Sequence, residues 1–411
     1  MKWDMIWFAG LVGGIRNRMC FAAPIVTGIL DCRFDLKDPP RYRSILQGAK
    51  GFWDYRPFFP VAGERPVSQG EGNTPLVAAP RLASQLGMQG VYVKNEGMNP
   101  SGTFKDRCQS IAYTKAQEMA APATIIGSAG NAGAAAAAYA AASGIPCFVV
   151  VPADTNMERL AQTLQYGANL IRVQGNVSDC IELLETVCKE RGWQDMTTAH
   201  SHNPFQGEGT KTIAYELARD MEWDVPDWII VPIGGGGILS SIYKGYQEMY
   251  TLGLIPRMPK MAGVQEAGCA AVAEAFEKGA APQAIQRVQN PTGVAVAIKD
   301  AYPLDGETAL QAIYDSGGVA ARVTAGQIAQ AQGELGRSCG VFAEPASAAT
   351  VAALFKLREA GVVQKEDRAV CIITGNGLKD AGFALQQILQ PPAIPMSQAA
   401  LNAQIDQLLG N

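Results

Sequence analysis

Trp228-Ile229-Ile230-Val231-Pro232-Ile233-Gly234-Gly235-Gly236-Gly237-Ile238-Leu239-Ser240 sets an apolar, β-branched run against four successive glycines and the start of an amphipathic stretch that continues to Tyr250. A short, continuously apolar run is the mark of a strand covered on both faces, as in parallel sheets flanked by helices. Glycines between strand and helix let the backbone approach a ligand closely, and successive N–H groups at a helix start form a cradle for an anion. The same order of strand, turn and helix recurs elsewhere. Thr124 to Gly127 leads into Ser128-Ala129-Gly130-Asn131-Ala132-Gly133 and an Ala-rich helix from Ala134 to Ser143, while Ala369 to Thr374 leads into Gly375-Asn376-Gly377. Val91 to Lys94, Cys147 to Val151, Asn169 to Val173 and Met261 to Gln265 complete the set of expected strands. This alternation predicts an α/β protein of open parallel sheets. In such sheets ligands bind beyond the carboxyl ends of the strands, so the three turns can converge on one small-molecule pocket.

Composition narrows the classes of function. The 411 residues carry 34 Lys plus Arg against 38 Asp plus Glu, a formal charge of −4 that gives no footprint for nucleic acid. Only His200 and His202 exist, so histidine-based triads and His-rich metal sites would have to grow from one tripeptide. The nine cysteines are odd in number, far apart and without a C-x-x-C pair, which predicts reduced thiols of a cytoplasmic protein rather than disulfides or a zinc ribbon. Near the N-terminus, the runs from Met5 to Gly14 and Met19 to Leu30 fall short of the ~18 residues a membrane span needs. A signal peptide also fits poorly, because Asp4 precedes the first run and the basic residues follow it.

Four places could carry chemistry. Lys105 follows the turn Asn99-Pro100-Ser101-Gly102-Thr103-Phe104 and opens a helix from Asp106 to Ala120, where the helix dipole and Arg107 disfavour its ammonium and favour an amine able to form a Schiff base. A solvated first-turn lysine is the ordinary alternative. Gly234 to Gly237 suits a phosphate, yet it lacks both the G-x-G-x-x-G of dinucleotide sites and the Lys-Ser/Thr of a Walker loop; a plain flexible loop is its alternative. Ser128 to Gly133 could hold a carboxylate, or Ser128 could serve as an N-cap and Asn131 as a turn former. Thr374 offers a hydroxyl at a strand end, a position threonine also takes without any function. Each signal is weak alone; their joint order discriminates.

That order resembles the fold type II pyridoxal-phosphate enzymes (tryptophan synthase β-like), and most closely the threonine synthase family. The resemblance runs from about Gly51 to Leu389. It rests on Gly70-Glu71-Gly72-Asn73-Thr74-Pro75-Leu76, Asn99 to Arg107, Ser128 to Asn131, Gly234 to Gly237, Glu344-Pro345-Ala346-Ser347-Ala348-Ala349 and Thr374-Gly375-Asn376-Gly377-Leu378-Lys379-Asp380. It implies two open parallel-sheet α/β domains with the active site between them and pyridoxal 5'-phosphate as cofactor. It also implies that Lys105 is the Schiff-base lysine and acid/base, that Phe104 flanks the ring, that Asn131 bonds the 3-hydroxyl oxygen, and that Gly234, Gly235, Gly236, Gly237 and Ile238 cradle the phosphate. Thr374 would face the pyridine nitrogen. Ser128, Ala129, Gly130 and Asn131 would bind the substrate, with Asn203 and Gln206 contacting it further out. The implied reaction is γ-elimination of phosphate from O-phospho-L-homoserine and addition of water, giving L-threonine.

Three residues depart from the family pattern: Gln206 stands where many members carry an arginine for the leaving phosphate, Ala132 where many carry threonine, and Asn376 where histidine is usual. These departures keep open a β-eliminating or β-replacing lyase of the serine/threonine dehydratase kind, acting on a different substrate. A ligand-binding protein that lost turnover is opposed by the joint presence of Lys105, Asn131, the glycine run and Thr374. A nicotinamide oxidoreductase is opposed by the loop pattern. His200 and His202 are expected as a surface pair at a strand end, with anion contact as the alternative. No metal is expected. The expected layout is an N-terminal extension over 1–45, a larger cofactor-binding domain over 46–115 and 200–390, a smaller inserted domain over 116–199, and a C-terminal tail over 391–411 with a helix from Ser397 to Leu409. Expected partners are a small amino-acid substrate and a second copy in a homodimer, with neither nucleic acid nor membrane.

Overall fold

The computed structural model describes residues 4–8, 29–34, 36–63, 65–174 and 177–410. Among the described residues, twelve strands form three sheets. β1 (Asp4–Phe8) and β2 (Ile29–Arg33) make an antiparallel pair; the other N-terminal residues before position 29 lie outside the described set, as does most of the expected 1–45 extension. A six-stranded sheet runs in the order β11-β10-β9-β12-β4-β3, from β3 (Leu76–Ala78), β4 (Gly90–Asn95), β9 (Trp228–Pro232), β10 (Lys260–Glu266), β11 (Val319–Val323) and β12 (Arg368–Ile373). Only β3 is antiparallel to its neighbour. A four-stranded parallel sheet runs β7-β6-β5-β8, from β5 (Thr124–Ile126), β6 (Cys147–Pro152), β7 (Asn169–Val173) and β8 (Gln194–Asp195).

Alternation explains how each sheet is covered. Ile229, Val231, Val370 and Ile372 point into one apolar cluster, while Val91, Val93, Ile230, Cys371 and Ile373 point into the other. Every residue of β9 is buried, as a central parallel strand requires. The smaller sheet splits in the same way, Ile126, Val149 and Val151 against Ile125 and Val150. Ala134 to Ala140 are buried along the Asn131–Ser143 helix, where alanine lets helix and sheet approach closely.

The stretch Asp38-Pro39-Pro40-Arg41 opens the helix Pro39–Gly48. Asp38 Oδ1 accepts from Arg41 N at 3.3 Å, and proline is well placed in a first turn because no N–H is needed there. The following 3₁₀ turn Phe52–Phe58 buries Tyr55 and Phe58 against Tyr215, tying this segment to the larger sheet's covering layer. The Gln398–Leu409 helix, capped by Ser397, buries none of its residues. No helix among the described residues is long and apolar enough to cross a membrane, and seven of the described cysteines are free, five of those buried.

Candidate active site

Lys105 is the first residue of the helix Lys105–Glu118, immediately beyond the loop that leaves β4. That loop is fixed by a buried carboxylate: Asp106 accepts from Ser101 N at 2.7 Å and Ser101 Oγ at 2.5 Å. Burial pushes the Asp106 carboxyl up to about 6, against those two hydrogen bonds. Lys105 Nζ donates to Thr198 Oγ1 at 2.7 Å and lies 4.7 Å from the centre of the Phe104 ring. Phe104 N in turn donates to Thr374 O at 2.9 Å, so the ends of β4 and β12 bring Lys105 and Thr374 together.

The Thr374 hydroxyl is buried and sits 3.0 Å from Ser347 Oγ, which also accepts from Gly375 N at 2.9 Å. Ser347 belongs to the helix Pro345–Glu359, whose first turn begins with proline after Glu344. Both Glu344 oxygens accept from Asn131 Nδ2, at 3.0 and 2.9 Å, across the gap between the two sheets. Burial pushes the Glu344 carboxyl up.

Gly234 to Gly237 leave β9 and enter the helix Gly237–Thr251. Glycine is obligatory at Gly236, where φ is +102° and a Cβ would lie 2.6 Å from Asp305 O; at Gly237 a Cβ would meet Asp305 Oδ2 at 2.6 Å. Asp305 N donates to Gly235 O at 2.7 Å, anchoring the loop from behind. Among the described residues, the N–H groups of Gly234, Gly235, Gly236, Gly237 and Ile238 have no hydrogen-bond acceptor. Five open donors at the N-terminus of a 15-residue helix, on a loop no side chain can fill, fit a phosphate group. Asp300 looks onto the loop, its Oδ2 3.0 Å from the Cβ position of Gly234. Although the residue keeps open surface, lost solvation at that carboxyl pushes it up and Lys105 pulls it back, so lysine and cradle flank one carboxylate.

Ser128, Ala129 and Gly130 form the turn before the Asn131–Ser143 helix. Ser128 is not its N-cap: Gly130 holds that position, and Ser128 Oγ accepts from Gly130 N at 3.3 Å. Gly133 is required because a Cβ would collide with Ser128 O. Asn203 and Gln206 are buried, and their amide nitrogens are spent on the carbonyls of Asp195 and Met196 at 2.9 Å each. They brace the end of β8. The expected surface pair of histidines is corrected: His200 has a side chain 13% exposed, packed against the Cβ positions of Gly207 and Gly237, because Asp305 Oδ1 accepts from its N at 2.9 Å. His202 is half-buried beside Ser201 Oγ, 3.0 Å away.

Thr198, Ser347, Asp305 and the role of Glu344 escaped the sequence. Glu344 and Ser347 stand in a quoted motif that could have flagged them; Thr198 and Asp305 meet their partners only through the fold.

The protein-family model described as "Pyridoxal-phosphate dependent enzyme" matches residues 67–375. Threonine synthase of Methanocaldococcus jannaschii is 39% identical over 386 residues, covering 93% of this chain and 94% of that protein, and the threonine synthase of Mycobacterium leprae is 38% identical over 85% and 94%. Among solved structures, processed threonine deaminase isoform 2 of Solanum lycopersicum superposes with a TM-score of 0.66 at 18% identity, covering 86% of this chain and 93% of that one. The L-serine ammonia-lyase of Rhizomucor miehei gives 0.66 at 20%, covering 79% and 98%. Likeness at that identity speaks for the fold alone.

Proposed function

The chain belongs to the pyridoxal-phosphate dependent enzyme family and, within it, to the threonine synthases, and from that premise we propose that its cleft converts O-phospho-L-homoserine and water into L-threonine and phosphate. It is a threonine synthase-like lyase with pyridoxal phosphate as cofactor and a small amino acid as substrate. The observation that carries the assignment is the 39% identity along 93% of the chain, joined to the run of N–H groups from Gly234 to Ile238 that find no acceptor among the described residues.

Bound pyridoxal phosphate supplies an electron-withdrawing ring that makes the substrate α-hydrogen acidic. Lys105 would hold that group and then carry the proton at the α-carbon, its Nζ kept in place by Thr198 Oγ1 at 2.7 Å. Gly234 to Gly237 and Ile238 would hold the cofactor phosphate through their open N–H groups. Thr374, backed by Ser347, would present a neutral hydroxyl to the ring nitrogen, leaving it less protonated than a carboxylate would. Phe104 would cover one side of the ring. Asn131 would turn its amide from Glu344 to the 3-hydroxyl oxygen, and Ser128, Ala129 and Gly130 would take the substrate carboxylate at the start of the Ala-rich helix.

The layout of a larger domain over 46–115 and 200–390 with a smaller one over 116–199 is supported by the two sheets, and closure of one on the other would exclude water from the reacting carbon. A homodimer is proposed for the assembly; Leu385, Leu389, Leu408 and Leu409 expose apolar surface of the kind an interface covers. A cytoplasmic location accords with the free cysteines.

One observation favours a β-eliminating lyase instead: position 206 is a glutamine whose amide is spent on Met196 O. Separate incubations with O-phosphohomoserine, serine and threonine decide. Threonine plus phosphate from the first is the expected result; 2-oxoacid plus ammonia from serine or threonine, with O-phosphohomoserine untouched, overturns the assignment.

A further inference from the structure

Beside the carboxylate turn, a cleft lined by Gly130, Asn131, Arg159, Gln162, Glu344 and Lys379 holds two cations to which no task has been given. Arg159 comes from the 3₁₀ turn Met157–Leu160 beyond β6, with Nη2 3.8 Å from the Cβ position of Gly130. Its guanidinium has no hydrogen bond or ion pair among the described residues. Lys379 reaches the same cleft from the turn Gly377–Asp380 that follows Thr374. It donates to Gln162 Oε1 and so keeps two of its three N–H groups unspent.

The cleft also holds two carboxylates: both Glu344 oxygens accept from Asn131 Nδ2, and Asp380 Oδ1 caps the next helix through Phe383 N. Against the upward push of burial, Lys379 and Arg159 both draw the Glu344 carboxyl down, so an incoming dianion must outcompete one carboxylate for them. Burial pushes Lys379 down while Glu344 and Asp106 pull it up, so an added anion beside it would be welcomed.

The turn before the Ala-rich helix suffices for one α-carboxylate, since a helix N-terminus suits a single negative charge. Arg159 sits one step farther out, where an anionic group at the far end of an amino acid would lie. A phosphate dianion is matched by an arginine fork together with a lysine. Gln206, with its amide spent at β8, cannot supply that fork.

We propose that Arg159 and Lys379 form the subsite that grips the distal phosphate of the substrate, and the inorganic phosphate released from it, from the mouth of the cleft. The proposal rests on the assignment of a phosphorylated substrate.

The test is equilibrium binding of inorganic phosphate and of L-serine to cofactor-loaded enzyme, by calorimetry, alongside turnover of O-phosphohomoserine. Arg159→Gln should weaken phosphate binding and raise KM by ~30-fold or more while serine binding stays within about twofold, and Arg159→Lys should recover most of the loss. Lys379→Gln should act in the same direction; because Lys379 also holds Gln162, its thermal midpoint is followed, whereas Arg159 makes no hydrogen bond or ion pair among the described residues. Equal losses for phosphate and serine would overturn the proposal, as would phosphate binding unchanged in Arg159→Gln or absent from the unsubstituted enzyme. Phosphate binding that depends on Arg159 in an enzyme yielding no threonine would sustain the subsite and refute the threonine synthase reaction alone.

Discussion

The two walls of the cleft are built differently. On the six-stranded side, Lys105, Thr374 and the glycine cradle are pinned by the main-chain bonds Phe104 N to Thr374 O and Asp305 N to Gly235 O, with Gly375 N donating to the Ser347 hydroxyl besides. Gly236 could not accept a side chain without moving Asp305. The four-stranded side offers the half-exposed Ser128 to Asn131 and the exposed Arg159, and side chains join it across the gap. Asn131 reaches Glu344, and Gln162 both accepts from Lys379 and donates to Ser101 O at 3.0 Å. Side-chain clasps open more readily than a shared backbone ladder. The cofactor wall is thus the fixed partner and the substrate wall the one that can move and vary.

Replacing Lys105 by alanine attacks the fixed wall at its reactive atom and carries the largest effect. Turnover should fall by ~10³-fold or more and the visible absorbance of lysine-held cofactor should vanish, while the thermal midpoint stays close to the parent's. Retained colour would contradict the assignment.

Gly236→Ala against Gly130→Ala compares the walls directly. The first places a methyl 2.6 Å from Asp305 O at φ +102°, so about 2–4 kcal/mol of stability or ~100-fold in cofactor affinity should be lost. The second meets only the tip of Arg159 at 3.8 Å and should cost about 1 kcal/mol or less. Equal losses in denaturant titrations would erase the distinction.

Gln162→Ala breaks one clasp and should raise KM by roughly three- to tenfold, with cofactor retention unaltered. Faster proteolysis within the smaller sheet would sharpen the comparison; loss of cofactor would blunt it.

The smallest effect concerns pH. Burial lowers the His200 pKa, but the Asp305 carboxylate, with Oδ2 3.2 Å from Nδ1, outweighs that and leaves the folded value raised. A raised pKa contributes stability that is complete below the unfolded value and is lost as pH rises through the folded one. The parent should therefore lose thermal midpoint relative to His200→Asn between pH 6 and pH 9, and parallel profiles would remove this role.

Much of the fixed wall was legible in the sequence, because glycine runs, strand-ending threonines and a lysine after a Ser-Gly turn are local signals. The strands β9, β10 and β12 stand where their β-branched runs predict. β3, of three residues, and β8, of two, are too short to show a period, and β11 reads as the mixed segment Val319-Ala320-Ala321-Arg322-Val323. Thr198, Asp305 and the burial of His200 depend on contacts between positions roughly a hundred residues apart, His200 to Asp305 among them, which no local pattern encodes. Ser128 looks like a helix cap, yet the helix starts at Asn131 because Gly130 takes the cap position.

The pairing of β4 with β12 also constrains how the polypeptide is made. Gly90–Asn95 lies beside Arg368–Ile373, so one edge of β4 must wait for a partner synthesised 278 residues later. At ~5–20 residues per second that delay is roughly 15–55 s, during which a sticky apolar ribbon hangs from the ribosome with its amides bare. Nascent chains halted before Arg368 should therefore need a chaperone to stay dispersed, whereas the four-stranded unit, complete by Asp195, can close long before translation ends.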